Sequence, residues 1–296
     1  VKIFLTGATG FIGGNFLRQA LENGHEVAVL LNPDRDLPHE WNGLNGLRVF
    51  RGTLEISPFD EISKFSPQIC VHSAWIATPG IYLESPENVK LVESSRNFIA
   101  ALTGMGVRHV VGLGTCIEYR MNDTLLVEDL SPIEPTTLYA QCKNELHSAL
   151  RVDASKKGFA LCWARVFYPY GPGEHPQRLC TSLIKKFRAG EKLVLKTPNS
   201  TKDYIHIHDL GSALLKVCES KFHGVLNLGT GEGITVRTIA DTIAKKLGRP
   251  DLVDEASPPQ PDPMGYVVAD ASRLKELGWK AKFDVESGID SLLKSL

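Results

Sequence analysis

The chain has 296 residues, with 33 Lys+Arg against 34 Asp+Glu, 43% hydrophobic and 23% charged side chains. That balance excludes a nucleic-acid footprint and a polybasic membrane anchor, and the composition excludes a disordered chain. The length suits one large α/β domain, or a main domain with a smaller second lobe.

Strand and helix signals alternate from the start. "VKIFLTG" reads as a buried strand and "FIGGNFLRQALENG" as a helix closed by Gly24. "HEVAVLL", the short "LRVFRGT" and "SPQICVHSA" read as the second, third and fourth strands. "NVKLVESSRNFIAALTGMG" has apolar residues at helical spacing, and "VRHVVGLGT" is a fifth strand. A helix from Tyr139 to Lys157 ends at Gly158, and "FALCWARVF" is a sixth strand. Strands alternating with helices, without hairpin signals, imply an α/β fold: a doubly wound, Rossmann-like parallel sheet covered on both faces.

After Pro169 the texture changes. "YPYGPGEHPQR" reads as loop, "LCTSLIKKFRAG" as a helix, "VLNLG" as a buried strand and "TVRTIADTIAKKLG" as an amphipathic helix. "SPPQPDPMG" is a proline-rich connection before the short helix "ASRLKELGW". The expected division is a main domain over 1–168 and a smaller, interleaved lobe over 169–296. No apolar run approaches the length of a membrane span, and the first strand begins at Val1, so neither a membrane anchor nor a signal peptide is expected. The six cysteines, Cys70, Cys116, Cys142, Cys162, Cys180 and Cys218, form no CxxC and are expected as reduced, buried thiols of a cytoplasmic protein.

"LTGATGFIGG" leaves the first strand and opens the first helix. Gly7 permits the tight turn, Gly10 lets the backbone approach a pyrophosphate, and Gly13 lets the helix pack close to the sheet. The amides of Phe11 and Ile12, at the helix start, then face the phosphates. The competing reading is a purely structural turn, but the strand–turn–helix context favours a dinucleotide. An NAD-binding fold usually ends its second strand with an acid that holds the ribose hydroxyls. Here Leu31 and Asn32 stand there, and Arg35 is in reach of a 2′-phosphate. This favours NADP over NAD, although Asp34 and Asp36 flank Arg35 and a solvated loop arginine is the competing reading.

"LYAQCK" places Tyr139 and Lys143 one helical turn apart, on one face. A nearby ammonium and an oxidised nicotinamide would bring the phenol, whose ordinary pKa is about 10, closer to working pH. Tyr139 is then a proton donor to a carbonyl oxygen. TGxxGxxG after strand one with YxxxK after strand five resembles the extended short-chain dehydrogenase/reductase family, of the NAD-dependent epimerase/dehydratase type, and the likeness covers essentially the whole chain. The resemblance implies Tyr139 and Lys143 as catalytic residues, with Thr115 of "GLGTCIEYR" as the third hydroxyl. It also implies coenzyme contacts from Ala74 and Phe167 and from Lys143 on the nicotinamide ribose. Tyr168, Arg178 and Lys202 fall on the substrate side, the last two at a diphosphate, and a homodimer is implied through the YxxxK helix and the helix before strand five.

The same resemblance separates chemistries. Sugar 4,6-dehydratases look like Thr-Asp-Glu where this chain has Thr115-Cys116-Ile117, so elimination lacks its acid and base. Cys116 is one residue off the cysteine position of the epimerase–reductases. Simple hydride chemistry remains, and the chain looks closest to nucleotide-sugar 4-ketoreductases. The alternatives are a nucleotide-sugar 4-epimerase with tightly bound NAD, a reductase of small carbonyl compounds, and a non-catalytic dinucleotide sensor. Departures from the family are Lys202 for an arginine, Gly52-Thr53 for Gly-Asp, Arg120 for glycine, Trp75 for a small residue, and no arginine in "PDPMGYVV". Trp75 with Tyr82 either narrows the sugar pocket or packs in the core. His206, His208 and Asp209 have strand-like spacing but no further ligands in range, so no metal site is expected.

Overall fold

A computed structural model describes residues 1–296. The elements run β1 (Lys2–Thr6), α1 (Phe11–Glu22), β2 (Glu26–Leu31), β3 (Leu47–Arg51), α2 (Phe59–Phe65), β4 (Ile69–His72), α3 (Glu87–Gly104), β5 (His109–Thr115), α4 (Leu138–Lys157), β6 (Ala160–Val166) and β7 (Tyr168–Tyr170). They continue with α5 (Leu179–Arg188), β8 (Leu193–Leu195), β9 (Thr201–His206), α6 (Ile207–Ser220), β10 (Gly224–Leu228), β11 (Gly233–Thr235) and α7 (Val236–Lys246). The chain closes with β12 (Val253–Glu255), β13 (Tyr266–Val267), α8 (Ser272–Glu276) and α9 (Val285–Ser295).

The main sheet has seven strands in the order β10-β6-β5-β4-β1-β2-β3. β1 pairs in parallel with β2 on one side and β4 on the other, with Leu5 opposite Val29 and Val71. Central strands covered on both faces need apolar side chains in both directions, which is why "IFL" and "ICV" lack alternation. The chain starts mid-sheet, winds outward to β3, then returns to the far side of β1. That reversal between β1 and β4 is where an open α/β sheet parts its connecting loops at the strands' carboxyl ends. Phe4, Phe50 and Phe98 pack in the core below, with Phe4 rings 6.3 Å from Phe50 and 5.6 Å from Phe98.

The chain divides into two compact units that exchange segments: Val1–Glu118, Glu134–Arg165 and Gly211–Leu226 form the first, and Tyr119–Ile133, Val166–Leu210 and Asn227–Leu296 the second. In the second unit β11, β9 and β13 form a small sheet with β7 alongside β9, and α5, α7 and α9 share an apolar core. Buried Asp203 accepts amide hydrogens of Thr230, Gly231 and Ala269, and buried Asp209 accepts those of Lys282 and Phe283. These carboxylates hold loops together, since each satisfies amides that burial would otherwise leave unpaired.

Three expectations change. "YPYGPGEHPQR" is not all loop, because Tyr168–Tyr170 pairs in parallel with Tyr204–His206. His206 and His208 share no strand face, since His206 ends β9 and His208 lies in the first turn of α6. The helices α2, α6 and α9 are additional to those read from periodicity. All six cysteines are buried thiols, and no helix is long and apolar enough to cross a membrane.

The helix α4 begins where Thr137 caps it, accepting the Ala140 amide at 3.2 Å, and ends at left-handed Gly158 (φ 72°). Thr137→Ala is expected to lower unfolding stability by about 1 kcal/mol, read from urea melts; an unchanged midpoint would show that packing alone fixes the start of α4.

Candidate active site

Two glycines of the first loop are demanded by the chain's own packing. Gly7 has φ 73°, and a Cβ on it would lie 2.7 Å from the Ala74 nitrogen. A Cβ on Gly13 would lie 2.2 Å from the Gly7 carbonyl oxygen, so only glycine lets α1 start so close to the turn. Gly10 differs. It precedes α1 in extended conformation with no side-chain cap, and a Cβ there would meet only the Gly7 oxygen, at 3.2 Å. A helix N-terminus whose approach carries no side chain fits a pyrophosphate, which Gly10, Phe11 and Ile12 would hold. The neighbouring loop is braced: the Ala74 amide donates to Thr6 Oγ1, which hydrogen-bonds His72 Nδ1 at 2.9 Å, and His72 Nε2 meets Ser95 Oγ at 2.9 Å. Burial, assisted by the Lys143 charge, pushes His72 down to about 3, so the ring is neutral.

At the end of β2, Asn32 Oδ1 accepts the Asp34 amide and the Asn32 carbonyl accepts that of Arg35. The register puts Arg51 of β3 beside Leu31, and the Arg51 guanidinium donates to the Arg35 carbonyl. Two exposed arginines therefore stand where the ribose 2′ position would be read. Arg51 was legible only through the β2–β3 register, which no local motif reports.

Thr115, Tyr139 and Lys143 come together in the first unit. Thr115 is the last residue of β5, and its side chain acts on the neighbouring Tyr139 phenol, favouring its ionised form. Tyr139 lies in the first turn of α4, its amide donating to the Leu83 carbonyl at 2.9 Å. One turn on, the Lys143 ammonium reaches back to β5 and donates to the Leu113 carbonyl at 2.8 Å. The same nitrogen lies 3.9 Å from the Trp75 ring centre and 5.9 Å from that of Tyr139. Tyr82 meets the Tyr139 ring edge-on at 4.9 Å. Trp75 is oriented by its indole N–H, which donates to Asn88 Oδ1 at 2.7 Å. Both aromatic residues thus touch the tyrosine–lysine pair.

The expected downward pull on the phenol is not met by the chain's own groups. Burial of Tyr139 dominates, with the Tyr82, Glu118 and Cys116 charges adding to it, and holds the hydroxyl above its ordinary value against the effect of the Thr115 side chain. The chain alone keeps Tyr139 a neutral donor. Burial likewise pushes Lys143 down to about 7, with Glu118 opposing.

Sequence reading passed over Glu118, whose one signal was a lone acid in an otherwise uncharged strand end. It lies in the turn Cys116–Glu118 and is fully buried, paired with Arg165 at 2.8 Å. The other predicted positions, Phe167, Tyr168, Arg178 and Lys202, belong to the second unit. Phe167 is buried, its amide on the Leu228 carbonyl. Tyr168 begins β7, with Lys202 Nζ 5.8 Å from its ring centre. Lys202 is paired with Asp262 at 3.2 Å and donates to the Met264 carbonyl, so its charge is matched within the unit. Arg178 precedes α5, donates to the Pro169 carbonyl at 2.7 Å and keeps about a third of its side chain exposed (34%).

A glycine-cradled helix start at a sheet's switch point, with Thr115, Tyr139 and Lys143 gathered at the end of β5 and the start of α4, is the arrangement of a Rossmann-like protein of the short-chain dehydrogenase/reductase type. Residues 3–229 match the NAD dependent epimerase/dehydratase family. The chain belongs to that family, among the extended short-chain dehydrogenases/reductases. It is 25% identical to a UDP-glucose 4-epimerase of Corynebacterium glutamicum, over 94% of this chain and 90% of that one. It is also 25% identical to a dTDP-4-dehydro-6-deoxy-D-allose reductase of a Streptomyces species, over 93% and 90%. The solved structure of MoeE5 in complex with UDP-glucose and NAD shares the fold, with a TM-score of 0.82 and 24% identity over 100% of this chain and 98% of that one.

The Lys143 assignment has a consequence for stability. Between about pH 7 and the ordinary lysine value of about 10.4, the unfolded chain binds the proton that folded Lys143 has shed, so this residue's cost to folding falls as pH rises. Lys143→Met is expected to melt above the parent at pH 6, with the advantage shrinking between pH 7 and 10. A pH-independent difference would mean that the Leu113 carbonyl and Trp75 ring offset the ammonium's desolvation in full.

Proposed function

We propose that the protein reduces the ketone of a nucleoside-diphosphate-4-keto-6-deoxysugar with a nicotinamide coenzyme. The observation that carries this reading is that Thr115 stands beside the Tyr139 phenol and the one carboxylate at Thr115, Glu118, is tied up in an ion pair. Cys116 and Ile117 follow Thr115, and the next carboxylate, Glu118, is locked in its ion pair with Arg165. Water elimination has no proton carrier there, whereas ketone reduction needs only one. The coenzyme supplies the hydride. Tyr139 gives its proton to the ketone oxygen, Thr115 steadies that oxygen, and Lys143 replaces charge next to the tyrosine as the proton leaves. A hydride to carbon and a proton to oxygen balance ketone to alcohol. Arg178, partly exposed, is the stronger candidate for the diphosphate, because its ion pair with Glu174 is longer (3.9 Å) than that of buried Lys202 with Asp262 (3.2 Å).

A 4-epimerase on the same class of substrate is the second reading, favoured by the likeness to the C. glutamicum enzyme. An epimerase must turn its ketone over between hydride removal and return. Trp75 and Tyr82, packed on Lys143 and Tyr139, favour reduction by limiting room for that turn.

The test follows NADPH and NADH absorbance with a panel of nucleotide-linked 4-keto-6-deoxyhexoses. Stoichiometric oxidation is expected, and Tyr139→Phe should lose about 10²–10⁴-fold in turnover while coenzyme binding stays within twofold. Sugar interconversion without net oxidation would instead establish the epimerase. For the coenzyme, Arg35 and Arg51 favour NADP. Arg35→Ala with Arg51→Ala is expected to weaken NADP⁺ about tenfold by calorimetry, roughly 1.4 kcal/mol, and to leave NAD⁺ unchanged; equal weakening of both would remove the 2′-phosphate assignment.

A further inference from the structure

Glu118 is 0% exposed and Arg165 2%, an ion pair wholly inside the first unit. Its carboxylate accepts four hydrogen bonds from three donors. Oε1 accepts the Thr115 amide at 2.8 Å and Oε2 the Arg165 Nε–H at 2.8 Å, while the Trp163 indole N–H bridges both oxygens at 3.2 and 3.1 Å. β5 is built to admit this. A Cβ on Gly114 would lie 2.4 Å from Trp163 Nε1 and 2.6 Å from Glu118 Oε1, and one on Gly112 would lie 2.7 Å from the indole ring. "GLGT" therefore leaves side chains off the strand at the two positions the indole and carboxylate cover.

Stability gives little reason to keep such a pair. Desolvating two charges costs several kcal/mol, and apolar residues of the same volume often fold as well or better. What the pair does touch is the reaction site. Within three residues of β5, the Leu113 carbonyl receives the Lys143 ammonium, the Thr115 amide is held by Glu118, and the Thr115 side chain meets the Tyr139 phenol. Glu118 is also the one carboxylate acting on Lys143. The other titratable groups about that ammonium are His72 of β4, neutral in its hydrogen-bond chain, and Tyr139 of α4 itself.

We propose that Glu118, held by Arg165 and Trp163, is a positioning residue of this site: it fixes the end of β5 that presents Thr115 to Tyr139, and it supplies the negative charge that balances the Lys143 ammonium. It acts through Thr115 and Lys143 and touches no substrate. The kinetic part of this inference rests on the ketoreductase reading; the part concerning Lys143 does not.

The test compares Glu118→Gln, Glu118→Asp and the double variant Glu118→Gln/Arg165→Met with the parent. The measurements are melting temperature, coenzyme Kd, kcat and KM. A pH titration of Trp75 emission is added, isolated by subtracting the same protein carrying Trp75→Phe. Trp75 reports the ammonium because the two are 3.9 Å apart. Glu118→Gln alone should melt early, because it leaves Arg165 buried without its partner. The double variant should recover the melting temperature and keep coenzyme Kd and KM within about threefold, yet lose roughly 100-fold in kcat through misplacement of Thr115. Its Trp75 titration should move to lower pH, since an ammonium without its counter-charge sheds its proton sooner. Glu118→Asp, which keeps the charge but shortens the reach, should hold the titration in place and still lose kcat.

A double variant with parental kcat and an unmoved titration would overturn the proposal and leave the pair a packing device. Full kcat in Glu118→Asp would overturn the anchoring of Thr115. If the parent reduces no 4-keto sugar, the ketoreductase reading fails by itself. The titrations of the parent and the double variant then decide the Lys143 part, upheld by a downward shift and overturned by none.

Discussion

A 2.8 Å hydrogen bond from the Lys143 ammonium to the Leu113 carbonyl ties the second turn of α4 to the end of β5. Both candidate hydroxyls depend on the register of these two elements: Tyr139 sits one turn before Lys143, and Thr115 two residues after Leu113. The ammonium is buried, which a lone cation does not tolerate cheaply. The carbonyl, the Trp75 face and the distant Glu118 charge each return part of the hydration it has lost. Elsewhere α4 is held by caps at Thr137 and Gly158 and by the two-pronged Arg96–Asp153 pair to α3. These fix the helix as a rod; the lysine fixes which residues of the rod face the strand.

The parallel sheet supplies the other half of the geometry. Because β1 pairs with β4 while the chain order reverses between them, the loops leaving both strands emerge side by side, and Gly7 lies against Ser73 and Ala74. The Thr6–His72–Ser95 chain locks that junction with a neutral histidine. Gly7 and Gly13 are thus required by backbone packing with or without a dinucleotide. Among the three loop glycines, Gly10 is the one that packing presses least, with a Cβ 3.2 Å from the Gly7 oxygen, and it carries most of the case for a phosphate.

Relatives of this chain include epimerases and reductases on one architecture, as expected when a fold sets a frame and a few side chains set the chemistry. In the reading proposed above, the side chains that matter are Thr115, Tyr139 and Lys143, with the adjoining carboxylate of Glu118 held by Arg165. The aromatic pair Trp75 and Tyr82, resting on the lysine and tyrosine themselves, is the feature that departs furthest from a small-residue site.

The order of strands and helices, the glycine turn and the tyrosine–lysine spacing were legible in the sequence, because each is a short-range pattern: apolar runs, helical periodicity, one turn between two side chains. So was Thr115, through its place at a strand end. Hidden from the sequence were contacts that join residues far apart along the chain. Arg51 reaches the β2 turn only through strand register; Lys202 is neutralised by Asp262, 60 residues on. The short strand β7 gains its hydrogen bonds from β9, so "YPY" between glycines and prolines reads locally as loop. Glu118 belongs to no local motif, and its meaning depends on Trp163 and Arg165 of the adjoining strand β6. The direction of the phenol's shift belongs to the same class. Spacing shows that an ammonium is near Tyr139, but only the packed surroundings show that burial outweighs it, since desolvation depends on every atom that excludes water.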